Sequence, residues 1–100
     1  MTYKAIILLA RRDDMSHEQF VAWWLEEHAP LAKQLPGVRR IVFNDVDGSD
    51  DYDGVTELWF DSRADLDAAY ATEIGQRVAA DSMAHVRSRT RLYVDEHAIT

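Results

Sequence analysis

The chain has 100 residues, with 18 acidic against 11 basic side chains, a net charge of −7, 47% hydrophobic and 29% charged positions, and no cysteine. That size predicts one domain, 1–100, with a modest core, and the composition predicts an ordered globular fold. The acidity argues against nucleic acid or an anionic membrane as partner, and the missing thiols exclude disulfide and thiolate chemistry.

The stretch YKAIILLA, residues 3–10, is β-rich and predicts a first strand. Its apolar run, Ala5 to Ala10, is too short for a membrane span and lacks a signal-peptide layout, which predicts a cytoplasmic protein. Ser16 with Gln19 has the spacing of a capping box. Phe20, Trp23, Trp24, Glu27 and Leu31 then fall on one face of a helix, where Glu27 is an awkward member. Pro30 has no N–H to offer residue 26 and disfavours the α region at Ala29. The helix is therefore expected to end or kink near Glu27 or His28, with a short second piece from Pro30 to Gln34, stopped by Pro36-Gly37.

A second strand is predicted over VRRIVFNDV, 38–46, and a third over VTELWF, 55–60. The acidic stretch between them fails as a calcium loop. Counting from Asp45 puts Asp50 where glycine is needed and Thr56 where a bidentate glutamate belongs, so it reads as a solvated hairpin loop. Ser62 with Asp65 opens a helix through Leu66, Ala69 and Tyr70; a break near Thr72 precedes a further turn or more carrying Ile74 and Val78. The arginines of RSRTR, 87–91, share one strand face, read as solvated, and TRLYVDEH, 90–97, is the fourth strand.

The order is βαββαβ, an α+β ferredoxin-like fold whose helices cover one face of a four-stranded antiparallel sheet. The strands are apolar on both faces: Ile6 and Leu8 oppose Ile7 and Leu9, and Leu58 and Phe60 oppose Trp59. A sheet with one wet face would alternate. A second copy is the expected cover, giving a homodimer that closes a barrel.

The chain resembles the EthD family. The residues that carry the likeness are MSHEQF at 15–20, Trp24 with HAPLAKQLPGVRR at 28–40, ELWFDS at 57–62, EIGQ at 73–76 with Asp81, and SRTRLYVDEH at 88–97. They run over nearly the whole chain. The resemblance implies a dimeric α/β barrel. It implies no single activity, because relatives on this fold include lactone isomerases, polyketide cyclases, decarboxylase- or dehydratase-like enzymes and monooxygenases. Ile41 and His85 stand where family members often carry an aromatic residue.

Of the four histidines, His17 and His97 are expected to be exposed or to pack, and His85 to meet a helix C-terminus. His28 sits beside an aromatic pair at the expected helix break and titrates near neutral pH, so it is the candidate general acid/base. The bland alternative is a satisfied imidazole at a broken helix. Trp24, Ile41, Phe43 and Leu58 are expected to shape a cavity for a small apolar or aromatic molecule. Glu57 is expected to pair with Arg40 or Arg91, and Glu27 needs a partner if buried. No metal-ligand spacing and no glycine-rich phosphate cradle is present, so neither metal nor cofactor is expected. The expected chemistry is cofactor-free proton transfer: isomerisation, cyclisation, dehydration or decarboxylation. A non-catalytic small-molecule-binding accessory protein and a cofactor-free monooxygenase are the alternatives.

Overall fold

The computed structural model describes residues 2–100. Strand β1 (Tyr3–Arg11) leads into helix α1 (His17–Trp23), a π-helical segment (Trp24–His28) and helix α2 (Ala29–Ala32). Strands β2 (Arg40–Asp45) and β3 (Gly54–Phe60) follow, then helices α3 (Arg63–Ala71) and α4 (Glu73–His85) and strand β4 (Val86–Val94). The sheet is antiparallel in the order β2-β3-β1-β4, and the helices lie on one face, as the βαββαβ pattern predicts. The fourth strand starts at Val86 and ends before Asp95, earlier at both ends than expected.

The alternation of β1 divides its side chains cleanly. Ala5, Ile7 and Leu9 are buried under the helices, against Leu58 and Phe60 of β3 and Phe20, Trp23, Trp24 and Leu66 of the helical layer. Ile6, Leu8, Val42, Val55 and Trp59 are half-buried on the other face, and Leu92 is 44% exposed there. The helical layer leaves that face open.

The open face corrects the expected partner of Glu57. Its carboxylate pairs with Lys4 at 2.8 Å and accepts a hydrogen bond from Asn44. Arg40 instead lies over the Trp59 ring, and Arg91 is on the opposite side of the sheet, across from Ile7 of β1. Lys4 is the nearer cation because it stands across from Trp59, two residues along β3 from Glu57 and on the same face.

The first helix also departs from expectation. Pro30 does not break it. Trp24, His28 and Ala29 all keep right-handed helical dihedrals, and the Ala29 N–H reaches back to Trp24 O, five residues earlier. This wider turn carries the chain past the proline, where a tight α turn would set its ring against the carbonyl of residue 26. The extra residue also rotates the phase. His28 is buried and Glu27 exposed, so Glu27 needs no partner.

Ser16 forms its full capping box with Gln19, whereas Ser62 accepts from the Asp65 N–H without the reciprocal bond. Thr72 is extended, ending α3 and capping α4 through the Gly75 N–H. Gly75 packs against that corner: a Cβ there would collide with the Ala69 carbonyl and stand 2.5 Å from Tyr70 Cα. Both obstacles are backbone. Gly75→Ala should therefore destabilise the protein by about 1–3 kcal/mol through overpacking, with about 1 kcal/mol offset by alanine's helix propensity. A lower midpoint in urea checks this; an unchanged or raised one would show that the corner yields freely.

Candidate functional site

His28 is 5% exposed and held from both sides by adjacent residues of α4. Its Nδ1 lies 2.8 Å from Asp81 Oδ2, and its Nε2 lies 3.2 Å from Ser82 Oγ. A carboxylate only accepts, so the imidazole proton sits on Nδ1, and the Nε2 lone pair accepts from the Ser82 hydroxyl. Burial lowers the His28 pKa, more than the hydrogen bond and charge of Asp81 raise it; Arg89 and His85 add to the lowering. The ring is thus neutral near pH 7, with a fixed tautomer.

Asp81 is the hub. It also accepts from Trp23 Nε1 at 3.4 Å, while its backbone carbonyl accepts from His85 Nδ1 at 2.8 Å. Trp23 stacks on His85 with centroids 4.2 Å apart, and lies 5.0 Å from the His28 ring. His85 thus takes its expected place at a helix C-terminus.

Ile41 and Phe43, with Leu25, Ala29 and Lys33, wall an open groove of about 230 Å³ on the β2 side. Phe43 lines this groove, and its ring lies 6.1 Å from the His28 ring. Trp24 is fully buried and stacks on Phe43 at 4.3 Å and 5°. Its ring fills the space over Gly54, where a Cβ would lie 2.6 Å from it. Leu58 lies in the core beneath and does not line the groove.

A larger depression of about 630 Å³ lies away from His28, among Arg11, His17, Asp45, Asp53 and the β2–β3 loop. Size does not make it the reactive centre, because Arg11, His17, Asp45 and Asp53 satisfy one another. Asp53 is 2% exposed and accepts from the Arg11 backbone N–H, the Arg11 guanidinium and His17 Nδ1. His17 Nε2 faces Asp45 at 2.7 Å. The Asp53 bond raises the His17 pKa against burial, and the Asp45 bond adds to it. Burial pushes the Asp53 carboxyl up, but the Arg11 and His17 bonds outweigh it and hold the group below 3.8. The sequence alone makes His17 an exposed or packing residue and gives Asp53 and Asp81 no contact. Their partners lie 36, 42 and 53 residues away, and no local spacing reports that. Among the described residues, no group of three or more His, Asp or Glu side chains could hold a metal ion, and no helix is long and apolar enough to cross a membrane.

The sequence profile of the EthD domain matches residues 12–86. The chain belongs to the EthD family. Within this EthD domain lie α1, the π segment, α2 and α4, hence His28, Asp81 and Ser82. An uncharacterised 11.0 kDa protein of the thcB-thcC intergenic region of Rhodococcus erythropolis is 33% identical over 79 residues, which is 73% of this chain and 76% of that protein. The crystal structure of an EthD-family protein from Bacillus halodurans superposes with a TM-score of 0.85 at 24% identity, covering 97% of this chain and all 100% of that one. A dimeric ferredoxin-like protein of unknown function from Thermobifida fusca gives 0.77 at 16% identity, covering 94% and 90% of the two chains. These structures share the fold.

Proposed function

We propose that this EthD-family protein binds a small apolar or aromatic organic molecule and moves a proton on it without a cofactor, in an isomerase, cyclase, dehydratase or decarboxylase type of reaction. The observation that carries this reading is the buried neutral imidazole of His28, oriented by the Asp81 carboxylate. A neutral Nε2 lone pair is a base at pH 7, and the imidazolium formed on protonation is stabilised by Asp81. Rotation of the Ser82 hydroxyl away from Nε2 frees the lone pair for a ligand. Phe43 and Ile41 are the groove wall, Trp24 backs Phe43, and Leu58 supports the floor.

The competing reading, a small-molecule-binding accessory protein, draws on Ser82, whose hydroxyl occupies Nε2 in the structure. Proton exchange separates the two. Candidate ketones and lactones incubated with the protein in heavy water should gain deuterium next to the carbonyl, and His28→Asn should abolish the gain. Binding without exchange in the wild type would select the accessory role.

The partner we propose for the open sheet face is a second copy, acting in the cytoplasm. The uncovered face carries Ile6, Leu8, Val42, Val55 and Trp59 around the Lys4–Glu57 ion pair, and the Thermobifida neighbour of the same fold is dimeric. Light scattering should give about twice 11.5 kDa. A clean monomer at micromolar concentration would remove this partner.

A further inference from the structure

Among the described residues, two half-buried cations of the sheet have no anion. Arg11, Arg12, Arg39, Arg63 and Arg87 each pair with a carboxylate. Arg40 and Arg77 are exposed, where water serves them. Arg89 and Arg91 differ. They are half-buried on the helix-facing side of β4, opposite Leu9 and Ile7, two residues apart on one face. Among the described residues neither has a carboxylate partner, and the Nε–H group of each is buried with nothing to donate to. Arg91 lies over the Tyr70 ring, 4.2 Å from its centroid. The sequence predicts a solvated face; Arg87 is exposed, but the register of β4 on β1 puts Arg89 and Arg91 on the helix-facing side.

Buried charge without a counter-charge is costly, and two like charges side by side add repulsion. A ring face compensates an arginine only in part. The stress shows in Arg89, whose pKa is lowered by burial first and by Arg91 second, against smaller raising contributions from Tyr70 and Tyr93. In a chain with a net charge of −7, acidic side chains are plentiful, yet none is placed here.

We infer that Arg89 and Arg91 seat the carboxylate of a small organic acid. Guanidinium forks match a planar carboxylate through paired N–H bonds. A monoanion suits the half-buried setting better than a phosphate dianion, whose desolvation cost is far larger. The inference goes beyond the proton-transfer reading by naming a ligand class, and binding at this seat does not depend on that reading.

The test is a titration of the wild-type protein with benzoate, followed by nuclear magnetic resonance of the arginine Nε–H groups. The Arg89 and Arg91 signals should shift with saturable occupancy. Benzamide, of equal shape without the charge, and inorganic phosphate should each bind at least tenfold more weakly. Arg89→Met should weaken benzoate at least tenfold while raising the melting temperature, because it removes a charge that is unpaired in the empty protein. His28→Asn should still bind benzoate, so loss of proton exchange and loss of the anion seat are read separately. Unmoved Arg89 and Arg91 signals, or benzamide or phosphate binding as well as benzoate, would overturn the inference. If Arg89→Met unfolds the protein, the wild-type titration decides alone.

Discussion

Replacing His28 with asparagine should lower turnover roughly 100-fold or more while leaving the protein folded. Asparagine offers a hydrogen-bonding group to Asp81 or to Ser82, but it does not span both and carries no proton near neutral pH. The stability cost should be about 1 kcal/mol, as for an ordinary substitution. The pH profile gives an independent reading. Burial holds the His28 pKa below 6.5, so the base form predominates at neutral pH. kcat/KM should rise with pH along a limb lying below pH 6.5 and then level off. The same depression gives a folding signature: the stability that depends on a neutral His28 is present above pH 6.5 and is lost as pH falls through the folded value. Turnover that survives His28→Asn, or a limb lying above pH 6.5, would leave His28 as a core residue only.

Asp53→Ala should produce the largest loss of stability, about 3 kcal/mol, the lower end for one member of a buried charge pair. The lower end applies because Arg11 and His17 are each about one-third exposed and recover some hydration. The loss is large against a total of about 5–15 kcal/mol for a domain. Asp53→Asn keeps an acceptor for the Arg11 backbone N–H and should cost less, about 1–2 kcal/mol. Urea unfolding of the two variants measures both. The pH window comes from the directions of the shifts. The Asp53 contribution is present above pH 3.8 and lost as pH falls through its lower folded value; the His17 contribution is present below pH 6.5 and lost as pH rises through its higher folded value. The Arg11–Asp53–His17 network therefore contributes most between pH 3.8 and pH 6.5. Equal stability of wild type and Asp53→Ala within that window would show the network to be inert.

How far these features are legible in the sequence depends on their range. The alternation of Ala5, Ile7 and Leu9, the Ser16–Gln19 box and the extended Thr72 are local, and each is readable from a few neighbouring residues. His28 stands out for the same reason. The rule that proline ends a helix misleads here, because it counts α turns and a π turn offers another way past the ring. Glu27 is misplaced as a consequence, since one surplus residue moves the buried stripe by a position. Asp81, Ser82, Asp53 and the arginines of β4 acquire meaning only from partners brought up by the fold. The arginine face in particular is read by composition, and composition is silent about which side of a sheet faces the helices.

The π turn has a consequence for how this helix can change length over evolution. Residues 24–28 contain one residue more than a regular helix needs to cover the same axial rise. Deleting one residue there would leave the flanking turns intact, but Pro30 would then meet an ordinary α turn and its carbonyl. Insertion and proline are thus a matched pair: a relative that lacks the extra residue should also lack a proline two positions after the histidine, and a laboratory deletion of Leu25 should be rescued by Pro30→Ala and not tolerated alone.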